Sequence, residues 1–147
     1  MDVQVRTVPE TEQEIIEIRC HKADDVVEEI VAFIKSRQGK LSGNLDGDIY
    51  EIPILDVMYI ESVDNRTFLY TQERSYESRQ RIYELEEVLK HHHFIRISKS
   101  SIVNMLKIQS IRPALNGRFS AILCNGEEII ISRKYVADFK KALKGAG

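Results

Sequence analysis

Short runs in which apolar and polar residues alternate fill most of the chain between residues 40 and 131. Such alternation predicts β-strands that bury one face, and turn sequences such as Asp46-Gly47 and Asp64-Asn65 separate the runs. The later runs lie at residues 94–97, 102–103, 108–112, 119–124 and 127–131. Between the last two runs, Asn125-Gly126 predicts a type I′ hairpin turn.

Three segments instead place apolar residues at the spacing of an α-helix. The first begins near Asp24 and stops at Gly39. The second follows Ser78 and ends near the histidines of residues 91–93, and Ser132 caps the third. The predicted class is therefore α+β, mainly β with few helices.

The first 38 residues form a pattern of their own. Val3 and Val5, and later Ile16, Ile18 and Cys20, alternate with polar neighbours, which predicts two short strands before the first helix. A ββα unit of this size cannot bury a full core by itself. We expect residues 1–38 to dock on the main domain, residues 39–147, or on a second subunit as a dimerisation element.

Charge is distributed unevenly along the 147 residues. The formal net charge is −2, but the segment from Phe94 to the C-terminus has ten basic and three acidic side chains, a net charge of +7. The preceding 93 residues carry −9. A basic segment of this kind is typical of a protein that approaches nucleic acid.

Composition argues against several other classes. No run approaches 18 apolar residues and the first twenty residues contain acidic and basic positions such as Asp2, Arg6 and Glu10 among the valines, so neither a membrane span nor a secretory signal is expected. The default location is the cytoplasm. Cys20 and Cys124 share no metal-type spacing, and we expect both to be reduced thiols in the core.

No chemistry-bearing motif indicates an enzyme. Consecutive histidines at residues 91–93 point about 100° apart on a helix and cannot converge on one ion, so we expect no metal. The chain has no nucleophile elbow and no glycine-rich phosphate loop. Residues 42–48 lack the ligand spacing of a calcium loop and predict a hairpin turn instead. No cofactor is expected.

One motif predicts an exposed polar loop between two strands. In FIRISKSSIVN, residues 94–104, two β-branched runs flank the polar triplet Ser98, Lys99 and Ser100. Such flanks predict a tight, rigidly held loop or bulge whose lysine points outward. A loop of this kind can bind a phosphate or a base edge.

Several stretches together resemble one known family. They are VMYIESVDNRTFLY (57–70), the YELEEVL helix, FIRISKSSIVNMLKIQSI (94–111) and LCNGEEIIISRKYV (123–136). In this order they resemble the LytTR (LytR/AlgR-type) DNA-binding domain of bacterial transcription regulators, over about 100 residues. The first 38 residues resemble the extension of stand-alone members that lack a receiver domain and are often encoded beside a small membrane protein.

The resemblance implies small antiparallel sheets in an elongated arrangement, with loops along one edge that enter successive major grooves of a bent duplex. By resemblance, three positions read bases: Thr67, Lys99 and Lys134. Six neighbours are expected to bind the DNA backbone or to support these contacts: Asn65, Arg66, Arg96, Ser98, Ser100 and Arg133. The family often has histidine at the positions of Thr67 and Ser98, so this chain should prefer a different site.

Two functional hypotheses follow. The first is a cytoplasmic, sequence-specific transcription regulator that binds a repeated site on double-stranded DNA as a homodimer. The alternative is a protein-interaction module whose β-edge and N-terminal elements engage a membrane-associated protein, with weak or no DNA binding. The acidic first 93 residues motivate the alternative.

Overall fold

Antiparallel strands and three helices make up the computed structural model, which describes residues 1–145 except the side chain of Ser36. The helices are α1 (Asp25–Arg37), α2 (Ile82–Leu89) and α3 (Val136–Gly145). The first five strands are β1 (Lys40–Leu45), β2 (Asp48–Pro53), β3 (Tyr59–Val63), β4 (Arg66–Tyr70) and β5 (Ser75–Ser78). The others are β6 (Phe94–Ser98), β7 (Ser101–Asn104), β8 (Ile108–Pro113), β9 (Phe119–Leu123) and β10 (Glu128–Ile131). The predicted class, mainly β with few helices, is confirmed.

The strands form two antiparallel sheets. Seven strands are ordered β2-β1-β5-β4-β3-β7-β6, and the other three are ordered β10-β9-β8. Asp46-Gly47 and Asp64-Asn65 have positive φ at both residues, as a two-residue type I′ turn requires. The type I′ prediction for Asn125-Gly126 is wrong, because only Gly126 has a positive φ and its N–H donates to the Leu123 carbonyl at 2.9 Å.

The molecule has two hydrophobic cores, and the seven-stranded sheet contributes to both. The first core packs α2 against the seven-stranded sheet through residues that include Ile60, Leu69, Leu85 and Leu89, none of them accessible to solvent. The second lies between β6, β7, the three-stranded sheet and α3. It includes Ile97, Val103, Leu123, Ile131 and Phe139. Burying one such side chain stabilises the fold by roughly 1.5–3 kcal/mol, so the second core fixes β6, β10 and α3 relative to one another.

Tyr59, the first residue of β3, connects the two sheets. The Tyr59 ring stacks on Tyr70 with 4.4 Å between ring centroids. Burial, and next a hydrogen bond to Glu127 in the β9–β10 turn, raise the pKa of Tyr59 far above its ordinary value. The phenol therefore stays protonated and donates to the carboxylate, which ties the three-stranded sheet to β3.

The N-terminal extension differs from its prediction. Helix α1 is confirmed: Asp24 caps it by accepting from the Val27 N–H at 3.1 Å, and Lys35 pairs with Asp56 at 2.7 Å. The two strands predicted before it are wrong, because residues 1–24 contain no strand and Val3 and Val5 are each 91% exposed. An alternating segment becomes a strand only beside a partner strand, and within this chain these segments have none.

Cysteine and histidine positions complete the comparison. The core-thiol prediction is wrong, since Cys20 lies in the unpaired N-terminal segment and Cys124 in the β9–β10 turn, both exposed. The histidines of residues 91–93 follow the end of α2, as predicted. Within residues 1–145 no group of histidine, cysteine and acidic side chains is placed to hold a metal ion. None of the described helices is both long and apolar enough to cross a membrane.

Candidate nucleic-acid interface

Two hairpin turns lie side by side at one end of the seven-stranded sheet. Strands β3 and β7 are neighbours, with Glu61 opposite Ser101, so the β3–β4 turn and the β6–β7 turn project from the same end. The Ser62 N–H donates to the Ser100 carbonyl at 2.8 Å and joins the two turns directly. Lys99 occupies the second turn and is exposed.

A third turn, between β10 and α3, is attached to the strand that carries Lys99. The Ser132 N–H donates to the Ile97 carbonyl at 2.9 Å, just before Ser98. Ser132 does not cap through its side chain, contrary to the prediction. Instead its carbonyl accepts from the Tyr135 N–H at 2.9 Å and forms a 3₁₀ turn, Arg133–Tyr135, ahead of α3. Lys134 is exposed on this turn.

The Lys99 turn is held in shape by one arginine. Arg96 donates from Nε to the Ser98 carbonyl at 2.8 Å and from Nη2 to the Lys99 carbonyl. Its Nη1 donates to Glu86 of α2 at 2.9 Å, and only 17% of the side chain is exposed. The guanidinium is thus committed to the protein, which leaves the Lys99 side chain free to project.

The two serines of the turn also have internal roles. The Ser98 hydroxyl accepts from the Ser100 N–H at 3.1 Å, and the two hydroxyl oxygens are 3.5 Å apart. Such a local bond favours a turn over continued strand. Both hydroxyls keep unused hydrogen-bonding capacity, since each has one O–H to donate and two lone pairs that accept.

The β3–β4 turn has a different arrangement of charge. Arg66 pairs with Glu77 of β5 through two bonds, of 2.6 and 3.2 Å, and lies 5.3 Å above the Phe68 ring. The pairing raises the pKa of Arg66 and lowers that of Glu77, in each case first through the hydrogen bond. Asn65, in the turn itself, is exposed and has a φ of +64°.

Thr67 does not reach the surface. It lies in β4 opposite Ser62 on one side and Ser78 on the other, and is 4% exposed. Its side chain points to the same face of the strand as the buried Leu69, because alternate residues share a face. In this structure the Thr67 side chain is therefore buried on the Leu69 face of the sheet, and its role as a base contact stays a prediction.

The remaining cations at this end are unpaired. Six ion pairs join side chains within residues 1–145, and none of them includes Lys99, Arg133 or Lys134. All three are exposed. Unpaired cations on short, fixed turns can bind phosphate oxygens, and lysine can also donate to the O6 and N7 acceptors of guanine.

Comparison with known families agrees with this geometry. A family described as the LytTr DNA-binding domain matches residues 47–144, more than half of the chain. The chain belongs to the LytTR family. The resemblance inferred from the sequence motifs is thereby confirmed, and the match ends one residue before the last described residue of α3.

Relatives of this LytTR chain are similar over most of its length. An "Uncharacterized HTH-type transcriptional regulator" of Staphylococcus aureus (strain bovine RF122 / ET3-1) is 32% identical over 130 residues, which cover 87% of this chain and 88% of the relative. A protein with the same description in S. aureus strain NCTC 8325 / PS 47 gives the same values. Among residues 1–145, however, strands separate each pair of consecutive helices, so no helix-turn-helix is present.

A solved structure has the same LytTR fold. It is the LytTr DNA-binding domain of a Bacillus cereus protein described as a methyl-accepting/DNA response regulator, with a TM-score of 0.69 and 28% identity. The similarity covers 71% of this chain and 96% of the other. A larger share of this chain than of the other lies outside the similarity, which accords with the N-terminal extension of this chain.

Sequence reasoning missed two basic residues at this end of the LytTR domain. Strand β5 ends here with Ser78, and the exposed Arg79 and Arg81 follow it. Neither forms an ion pair with any residue of the described range. A signal was available, because two arginines between a predicted strand and a predicted helix must lie where that strand ends.

Proposed function

We propose that this LytTR protein is a sequence-specific, double-stranded DNA-binding transcription regulator that uses the turns at one end of its sheets. The observation that carries the proposal is the attachment of the Lys134 turn to the strand of Lys99 through the Ser132–Ile97 hydrogen bond. Two free lysines on turns fixed by one core suit repeated contacts along a duplex.

Within this proposal Lys99 and Lys134 read bases, each donating to guanine O6 and N7 in a major groove. Asn65, Ser98, Ser100 and Arg133 bind phosphates, which fix register without reading sequence. Arg66 binds the DNA backbone only if its guanidinium donates to a phosphate and to Glu77 at the same time. Arg96 acts through the shape of the Lys99 turn, and we assign Thr67 a supporting role inside the sheet. The proposed function is binding, and no enzymatic step enters it.

Selection of sites from a random DNA library, followed by binding of the selected duplex, tests the proposal. Lys99→Ala and Lys134→Ala should each weaken binding by about 1–3 kcal/mol and relax base choice at one position. Arg74→Ala is the matched control, because Arg74 is an exposed cation in the β4–β5 turn, at the opposite end of β4. It should leave base choice unchanged.

If Lys99→Ala and Lys134→Ala bind the selected duplex as the unchanged protein does, the base contacts are wrong. If no duplex is retained at low salt, the proposed function itself fails. The rival proposal, an interaction module for a membrane-associated protein, then gains support from co-purification of such a protein with the full chain.

We also propose a homodimer formed through the N-terminal extension, acting in the cytoplasm, where its DNA is. Supporting it are the unpaired alternating segments of residues 1–24 and the outward-facing Val26 and Val31 of α1, which are 57% and 37% exposed. A second copy would supply the strand partners that one chain lacks, and closed two-fold pairing is the commonest arrangement. A repeated DNA site would match such symmetry.

Light scattering of the full chain measures the mass of the assembly and so tests the dimer. The mass should be twice 17.0 kDa, and Val26→Asp should shift it towards 17.0 kDa because a charge at an apolar interface is costly to bury. Tyr83→Asp, on the exposed face of α2, is the control and should remain dimeric. A mass of 17.0 kDa for the unchanged protein at DNA-binding concentrations would rule out the dimer.

A further inference from the structure

The β8–β9 turn lies at the same end of the molecule as the Lys134 turn. In the three-stranded sheet Pro113 is opposite Phe119, and Phe119 is opposite Ile131. The turn of residues 114–118 therefore stands beside the end of β10, immediately before Ser132. The turn lies outside the motif stretches 94–111 and 123–136.

The turn is in contact with the proposed DNA-binding residues and has a fixed shape. A Cβ on Gly117 would lie 3.0 Å from Cδ and 3.1 Å from Cγ of Arg133, so the stem of Arg133 rests on the Gly117 backbone. Asn116 and Gly117 both have positive φ, 60° and 75°. The Ala114 N–H donates to the Arg118 carbonyl at 2.9 Å and closes the turn.

A leucine projects from this turn. Leu115 is 84% exposed, more than any other large hydrophobic residue of residues 25–145. An exposed apolar side chain is common in proteins and needs no function when it stands alone. Leu115 does not stand alone, because cations surround its turn. Arg118 is exposed at the end of the turn with no ion-pair partner among the described residues, and Arg112 has only a long 3.9 Å pair with Glu128.

We propose that the β8–β9 turn is a further contact to the duplex, next to the Lys134 contact. In it Leu115 packs against sugar or base carbons in a groove, and Arg118 binds a phosphate. The inference rests on the proposed function and adds a contact to it. Cations alone would make the contact salt-dependent and non-specific, whereas a leucine held among them adds apolar area that only close approach to the DNA can bury.

Binding of the full-length protein to its selected duplex over a range of salt concentrations separates the two contributions. Leu115→Ala should weaken binding about three- to tenfold at every salt concentration and leave the salt slope unchanged, because it removes area and no charge. Arg118→Ala should reduce the slope by about one phosphate contact. Ile49→Ala, at a 64% exposed position on edge strand β2, and Arg74→Ala are the matched controls and should change neither quantity.

The outcomes distinguish this inference from the function on which it rests. If Lys99→Ala weakens binding while Leu115→Ala and Arg118→Ala do not, the β8–β9 contact is wrong and the DNA-binding function stands. If none of these variants alters binding to a retained duplex, all the assigned contacts are wrong, including this one; if no duplex is retained at low salt, the function itself is wrong. Both side chains are exposed, so urea unfolding should give unchanged stability; a loss of stability with unchanged binding would assign the turn a purely structural role and overturn the inference.

Discussion

The β3–β4 turn and the β6–β7 turn are neighbours joined by one hydrogen bond, but they commit their charges in opposite ways. At the β6–β7 turn, Arg96 of β6 is bonded within the protein and Lys99 of the turn is left free. At the β3–β4 turn, Arg66, the first residue of β4, is paired with Glu77, and the next residue, Thr67, is buried. One turn exposes an unpaired lysine, whereas the arginine at the other turn is occupied by an ion pair.

The number of cations at a surface is therefore a poor guide to its interaction with DNA, because pairing within the protein decides which of them are available. A paired arginine contributes little net charge, whereas an unpaired lysine on a fixed turn contributes a full one. The guanidinium is suited to internal use because its planar fork can donate to two carbonyls and a carboxylate at once. The compact ammonium of lysine is suited to display.

The largest effect should come from breaking the displayed turn. Arg96→Ala removes the donor to two carbonyls and to Glu86, and we expect the free energy of unfolding to fall by about 1–3 kcal/mol. DNA affinity should fall at least as far as with Lys99→Ala, because the turn loses its shape. Urea unfolding and binding to the selected duplex measure the two quantities.

Two further variants distinguish positioning from charge. Arg96→Lys keeps the cation but cannot donate to both carbonyls and Glu86 together, so binding should remain weak. In the double variant Arg96→Ala with Lys99→Ala, the losses in binding should be less than additive, since Arg96 is proposed to act through Lys99. Fully additive losses would mean that Arg96 contacts DNA independently of the turn.

The contrast between the two turns also shows how far sequence can predict this molecule. Both hairpins and the three helices follow from local patterns, because positive φ at Asp64-Asn65 and helical spacing are set by near neighbours. The pairing of Arg66 with Glu77 depends on β4 and β5 meeting in register, which no local pattern specifies. The N-terminal strands failed for the related reason that alternation does not supply a partner strand.

A smaller effect should come from freeing Arg66 from its ion pair with Glu77. Glu77→Gln removes the carboxylate that holds Arg66, so Arg66 becomes free for a phosphate. We expect binding to tighten about two- to fivefold and the salt slope to grow by about one contact. Measurement of affinity against salt concentration gives both values.

The control for this variant must change net charge equally. Glu51→Gln does so at a position that lines the cleft beside the β4–β5 turn, away from the β3–β4 turn. It should alter the slope little, because long-range charge is largely screened at physiological salt. Equal tightening by both variants would assign the effect to net charge and not to Arg66.

The smallest effect should come from Thr67→Val, which has nearly the same shape and removes only the hydroxyl. Thr67 makes no side-chain hydrogen bond to any described residue, and it is 4% exposed between Ser62 and Ser78. If its role is to fill the sheet, binding and base choice should stay within twofold of the unchanged protein, and stability within about 0.5 kcal/mol.

Thr67→Val would also reveal a base contact, if Thr67 makes one. A base contact by the Thr67 hydroxyl would be lost, and repeated site selection would then show relaxed choice at one position with the preferences read by Lys99 and Lys134 intact. For that to happen the face of the sheet that carries Thr67 and Leu69 would have to open on DNA, since the side chain is 4% exposed on that face. Hydrogen exchange of the β4 amides with and without the selected duplex would detect such opening, so unchanged protection together with unchanged site choice assigns Thr67 to the interior.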